Sequence, residues 1–148
     1  MGDTIRKVDY FYIKVANKPG EGARILMKLR DAGVNLLAFS GFPAGRQAQI
    51  DFIPEDPVWF QAAAKRAGLK LSAKKSGFLI QGEDRMGAVA EIMRKLAAAK
   101  INVTAMDAVS AGQGRYGAIL WVKPKDLSKA AKALGAFLKS TDHLLKYN

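Results

Sequence analysis

Cysteine is absent from this chain, and histidine occurs once, at His143. The first absence excludes disulfides and thiolate metal sites. A single imidazole cannot form a cluster, so no zinc or other transition-metal site is expected, and no cofactor is called for. Cys-His pairs are ruled out as nucleophiles, and only one histidine remains for a Ser-His pair. Long apolar runs are missing too: nothing approaches the ~20 residues needed to span a bilayer. Met1 to Arg6 runs into an alternating stretch at Tyr10 without an apolar signal core. Arg6 stands where a myristoylation signal after Gly2 would need Ser or Thr. A soluble cytoplasmic protein without membrane attachment is the expectation.

Acidic residues are few, 13 against 24 basic ones, for a net charge of +11. That sign attracts acidic ligands or nucleic acid over about a Debye length, ~8 Å at physiological salt. The lysines are dispersed, however: Lys123, Lys125, Lys129, Lys132, Lys139 and Lys146 never form a block, as expected of solvated surface. Asp51, Glu55 and Asp56 are the only acidic cluster. Their position at a strand-to-helix junction reads as capping and as favourable charge at a helix N-terminus. With no paired carboxylates, no nucleophile-base pair and no phosphate loop of the G-x-x-x-x-G-K type, an enzyme is not expected.

What is present is a repeat. Asn17-Lys18-Pro19-Gly20 through Gly33-Val34-Asn35-Leu36 returns, at a constant offset, as Asp84-Arg85-Met86-Gly87 through Lys100-Ile101-Asn102-Val103. Internal self-similarity sets architecture before local propensity does. It divides the 148 residues into two domains, 8–75 and 76–148. Units of that size bury only roughly 60% of their unfolded surface alone, so the copies are expected to pack on each other or on another chain.

Phe11, Ile13 and Val15 alternate with Tyr10, Tyr12 and Lys14, and Phe78 and Ile80 repeat the buried face in the second copy. Period two marks a half-buried strand. Gly22, Ile25, Leu26 and Leu29 then fall at helical spacing, as do Val89, Ile92, Met93 and Leu96. Gly33 and Lys100 read as left-handed stops. Strands are expected over 34–39 and 101–106, with turns at 41–45 and 111–114, and third strands over 48–53 and 116–122. Asp56 before Pro57 and Asp126 before Leu127 read as N-caps of helices over 58–67 and 127–138. Last strands are placed at 69–73 and 143–147. Each copy is β-α-β-β-α-β, giving an α+β fold of two ferredoxin-like units. Their antiparallel sheets carry both helices on one face and pair into a larger sheet.

The chemistry of the repeat lies at the glycine turn. Glycine lets a ligand approach the backbone, and the free N–H groups and positive end of the following helix suit a carboxylate or phosphate. In the first copy Pro19 presets φ, and the Asn17 amide both donates and accepts, which suits a zwitterion. In the second copy Asp84 would repel a carboxylate yet hold an ammonium group. A glycine with Asn or Asp before a helix is also an ordinary cap. Asn35 and Asn102, at the start of each second strand, have a plain role in the helix-to-strand turn. A functional role needs a polar group opposite them, which the glycine turn of a neighbouring copy would supply.

Asn-Lys-Pro-Gly, the amphipathic helix and Gly-Val-Asn-Leu together resemble the ACT domain, with Asp-Arg-Met-Gly and Ile-Asn-Val as a second copy. The resemblance covers nearly the whole chain. It implies a non-catalytic regulatory module that binds an amino acid or similar small metabolite where copies pair side by side, as a homodimer. Ligand residues would be Asn17, Lys18, Pro19, Gly20 and Asn35, with Asp84, Arg85, Gly87 and Asn102 in the second copy. Asp84 and Met86 depart from the commonest form of the motif. No enzyme or DNA-binding domain is visible beside the pair, which implies a stand-alone sensor or a subunit acting on an enzyme in trans.

Two other readings use the same strand order. RNA-recognition motifs stack bases on aromatics of the third strand, and Arg115, Tyr116 and Trp121, with Tyr10 and Tyr12 on strand one, have part of that pattern. Ala118 stands where an aromatic belongs, so nucleic acid is disfavoured as a partner. Alternatively, the pair serves only protein association.

Overall fold

The computed structural model describes residues 2–136. In chain order these form β1 (Thr4–Ala16), α1 (Glu21–Asp31), β2 (Leu36–Ala44), β3 (Gln47–Pro54), α2 (Pro57–Arg66), β4 (Lys75–Glu83), α3 (Ala88–Ala98), β5 (Val103–Gly112), β6 (Arg115–Val122), a 3-10 turn (Pro124–Asp126) and α4 (Leu127–Leu134). They divide into an N-terminal unit, Asp9–Lys75, and a C-terminal unit that joins the residues up to Val8 to those from Ser76 on. β1 is thus split between them. Both units have the ferredoxin-like α+β arrangement of an antiparallel sheet under two helices.

In the N-terminal unit the strand order is β2-β3-β1. Phe11 lies opposite Phe52 and Ile13 opposite Ile50, so alternation brings all four to one face. Ile25 and Leu29 of α1 and Phe60 of α2 close over that face, and all seven side chains are buried. The Phe60 ring centroid stands 5.4 Å from Phe11 and 5.3 Å from Phe52. Full burial of each such side chain stabilises by about 1.5–3 kcal/mol.

The C-terminal unit has the order β1-β4-β6-β5. Phe78 pairs with Leu120 and Ile80 with Ala118, and Ile92, Leu96, Ala130 and Leu134 of the helices complete the core. Ile5 of β1 is buried in this core.

Several element boundaries differ from expectation. β1 begins at Thr4 rather than near Tyr10, because the charges of Arg6, Lys7 and Asp9 hide its alternation. β2 runs to Ala44 and β5 to Gly112, through glycines and a proline read as turns. Both stand at the end of a strand order, where such residues are tolerated. The turns shrink accordingly, and Gln113 (φ 55) and Gly114 (φ 70) adopt the left-handed pair of a tight hairpin.

Residues 69–73 form no strand. There the Ser72 N–H donates to the Tyr12 carbonyl (2.8 Å), while the Tyr12 N–H donates to Ser72 Oγ (2.9 Å). A hydroxyl in place of a backbone carbonyl stops the ladder. α4 ends at Leu134, because Gly135 turns left-handed (φ 66). The expected strand at 143–147 and the end of the helix expected to reach 138 lie outside the described residues.

Candidate functional site

Both glycine turns join a strand to a helix. Gly20 (φ 89) and Gly87 (φ 77) are the N-cap residues of α1 and α3, each left-handed and without a side-chain cap. A Cβ at either position would meet nothing within 4 Å, so glycine is needed for its dihedral, not for room. The first-turn N–H groups are therefore left uncapped by any side chain.

Over the second turn lies a cleft of about 270 Å³. Asp84, Arg85 and Gly87 form one side, Ala88, Val89 and Ala90 the helix end, and Ala108, Val109, Ser110 and Tyr116 the strand side. Asp84 is fixed twice: its N–H donates to the Gly114 carbonyl (2.8 Å), and Oδ2 accepts from Ser110 Oγ (3.1 Å). Arg85 is held by two carboxylates. It donates to both oxygens of Asp3 (3.1 and 3.3 Å), to Glu91 (3.1 Å) and to the Glu83 carbonyl (3.0 Å). Its guanidinium pKa is raised by the bonds to Asp3 and Glu91. Burial pushes the Asp3 carboxyl up, but the Arg85 bonds and charge and the nearby Tyr116 hydroxyl outweigh it, so its pKa is lowered. The Tyr116 hydroxyl is buried without a well-formed hydrogen bond. Burial and the adjacent Asp3 push its pKa up to about 12. With Arg85 neutralised, Asp84 sets the sign of the cleft, which favours a cationic group.

The expected site residues are only partly gathered. Asp84, Arg85 and Gly87 share the cleft. Asn102 does not: it precedes β5, at the opposite end from Ser110, roughly 25 Å away at the usual rise of a strand. Asn17, Lys18, Pro19 and Gly20 lie exposed around the first turn. Asn35 is paired with Glu55, whose N–H donates to its carbonyl (3.0 Å) and whose carboxylate accepts from its amide (3.5 Å). That is the plain turn role.

Ser110, Val109 and Tyr116 line the cleft without having been singled out for it. A second strand expected to end at residue 106 hid the first two. Asp3, 82 positions from Arg85, left no sequence signal at all.

Of the acidic cluster, only Asp56 is a side-chain cap, accepting from the Trp59 N–H (3.0 Å). Asp51 is not at a helix end: it is buried in β3, accepts from Gln49 (3.0 Å), and burial raises its pKa. No group of metal-ligating side chains occurs among the described residues. Nor is any described helix long and apolar enough to cross a membrane.

The base-stacking pattern does not survive folding. Tyr116 faces the helix-covered core at 5% exposure and Trp121 is buried at 7%, while the Lys75 ammonium sits 5.3 Å from the Tyr12 ring.

No protein-family model and no curated protein sequence matches this chain. Solved structures do. A Bacteroides thetaiotaomicron protein superimposes with a TM-score of 0.76 at 17% identity, covering 88% of each chain. The ligand-free regulatory subunit of aspartate kinase from Thermus thermophilus gives 0.62 at 15% identity, over 91% of this chain and 95% of that one. Its Thermus flavus counterpart gives 0.60 at 13%, with the same coverage. In fold, this chain is an α+β protein of two ferredoxin-like units, similar along nearly its whole length to regulatory subunits of aspartate kinase.

Proposed function

We propose that this chain is a non-catalytic regulatory module that binds a free amino acid or similar small metabolite at its glycine turns and acts on an enzyme in trans. The observation that carries the reading is the cleft over the second turn, where an acid and an uncapped helix end meet. Asp84 would accept the ligand's ammonium group. The first-turn N–H groups of Val89 and Ala90, which have no carbonyl four residues back within the helix, would receive its acid group. Small apolar walls from Ala88, Ala90 and Ala108 leave room for a short side chain. The first turn offers a variant of the same site, in which the Asn17 amide replaces the carboxylate beside Lys18, Pro19 and Gly20.

Asn102 is too far along its strand to reach the turn of its own unit, and Asn35 is occupied by Glu55. In this reading each contributes from a second copy of the chain, in a cytoplasmic homodimer, with Asn35 exchanging its long bond to Glu55 (3.5 Å) for the ligand. The likeness to subunits named as regulatory supports a non-catalytic role.

A thermal-shift panel of the twenty amino acids tests this. At least one should stabilise the chain, since ligand at 100 times its dissociation constant adds ~2.7 kcal/mol. That corresponds to a Tm rise of roughly 5–10 °C for a chain of this size. Asp84→Ala should abolish the rise. The absence of any shift at millimolar concentration would overturn amino-acid binding and leave the association-only reading.

A further inference from the structure

The grip on Arg85 has the form of a receptor already filled. Each terminal nitrogen of the guanidinium uses one N–H on a fixed partner, Glu83 O or Glu91, and points another at Asp3. The two bonds to Asp3 go to different oxygens of one carboxylate, which is bidentate recognition. The seat beneath that carboxylate is also shaped for it. Gly82 has an ordinary φ, so its dihedral does not demand glycine, yet a Cβ there would run into the Asp3 carboxylate and come within 3.1 Å of the Tyr116 ring. Tyr116 is 5% exposed, and its buried hydroxyl lies beside the Asp3 carboxylate at the same cleft.

The first repeat lacks every part of this arrangement. At the constant offset, Val15 answers Gly82, Lys18 answers Arg85 and Arg24 answers Glu91. The seat is therefore particular to the C-terminal unit.

We propose that Arg85, Gly82 and Tyr116 form a carboxylate-binding seat and that Asp3 occupies it as a built-in competitor, which a small monocarboxylate ligand displaces. The identity of that ligand rests on the function proposed above, with its acid group shared between Arg85 and the helix end that line one cleft; the seat itself does not. Exchange keeps the local charge constant, because one carboxylate leaves the guanidinium as another arrives. The incoming carboxylate takes the place of Asp3 beside the Tyr116 hydroxyl. Movement is confined to the residues ahead of β1, since Ile5 stays anchored in the core. Glu91 and the Glu83 carbonyl keep the guanidinium oriented throughout, so little ordering cost is added on binding.

The test uses the full chain and acetate as the probe, with chloride at equal ionic strength as control. Asp3→Ala should lower the Tm, and acetate but not chloride should restore it, with an apparent affinity at least tenfold tighter than for wild type. Adding Arg85→Gln should remove the acetate response. Gly82→Ala, which fills the seat in the Asp3→Ala background, should also remove it, and line broadening of labelled acetate reports binding independently of stability. Equal responses to acetate and chloride, or a response that survives Arg85→Gln, would overturn the seat. An acetate-responsive Asp3→Ala variant beside a wild type that answers to no amino acid would keep the seat and reject the metabolite reading. A panel hit that Asp3→Ala leaves unchanged, without acetate rescue, would do the reverse.

Discussion

Single residues carry two kinds of local conflict. Lys100 ends α3 in the left-handed region (φ 60), where Gly33 (φ 77) stands in the first repeat. A side chain there costs roughly 1–2 kcal/mol against glycine, partly offset by glycine's larger unfolded-state entropy. Lys100→Gly should therefore stabilise the chain by about 1 kcal/mol in urea unfolding, and no gain would show that the neighbouring turn bears the strain. Asp51 is a conflict of burial. Its folded pKa is raised, so the folded state binds its proton more tightly than the unfolded chain does. Stability from this group then falls as pH rises through the window above the usual carboxylate value. Asp51→Asn, which still accepts from Gln49, should exceed wild type in stability at pH 7. The gap should close near pH 3, and a gap independent of pH would assign it to packing.

At the scale of elements, the caps separate look-alike sequences. Asp56-Pro57 and Asp126-Leu127 have the same reading, yet only Asp56 accepts a hydrogen bond from its helix, because Pro124–Asp126 first makes a 3-10 turn and Asp126 stays in a helical conformation. Asp56→Ala should cost about 1 kcal/mol and Asp126→Ala only a few tenths, measured by denaturant midpoints. Equal losses would mean that the caps act through charge at the helix end rather than through the bond. The helices were legible because Ile25 and Leu29, like Ile92 and Leu96, mark a buried face by spacing alone. Met93 fits the same spacing and is left 40% exposed, since periodicity defines a stripe but not how far the neighbouring helix reaches. Strand ends were less legible: a strand at an edge tolerates Gly41, Pro43 and Gly112, so composition there signals exposure as readily as a turn.

At the scale of the molecule, β2 ends its strand order and leaves Phe39 and Phe42 44% and 43% exposed. An apolar edge of this kind is a template for pairing with another chain. If the homodimer forms through it, Phe42→Lys should convert a dimer to a monomer in light scattering while leaving the Tm of the unit nearly unchanged. A dimer that survives the charge would move the interface elsewhere. Regarding the candidate site, the second glycine turn and its Asp84 are legible in the sequence, because both are residues adjacent in the chain. By itself the sequence determined the two copies, their helices, the first three strands of each and the left-handed stops at Gly33 and Lys100, since these depend on local periodicity and backbone freedom. Only the tertiary structure decided that Asn102 stands apart from its turn, that Tyr116 faces the core, and that Asp3 closes on Arg85. Those outcomes turn on strand length, register and contacts between distant residues, and no local pattern encodes them.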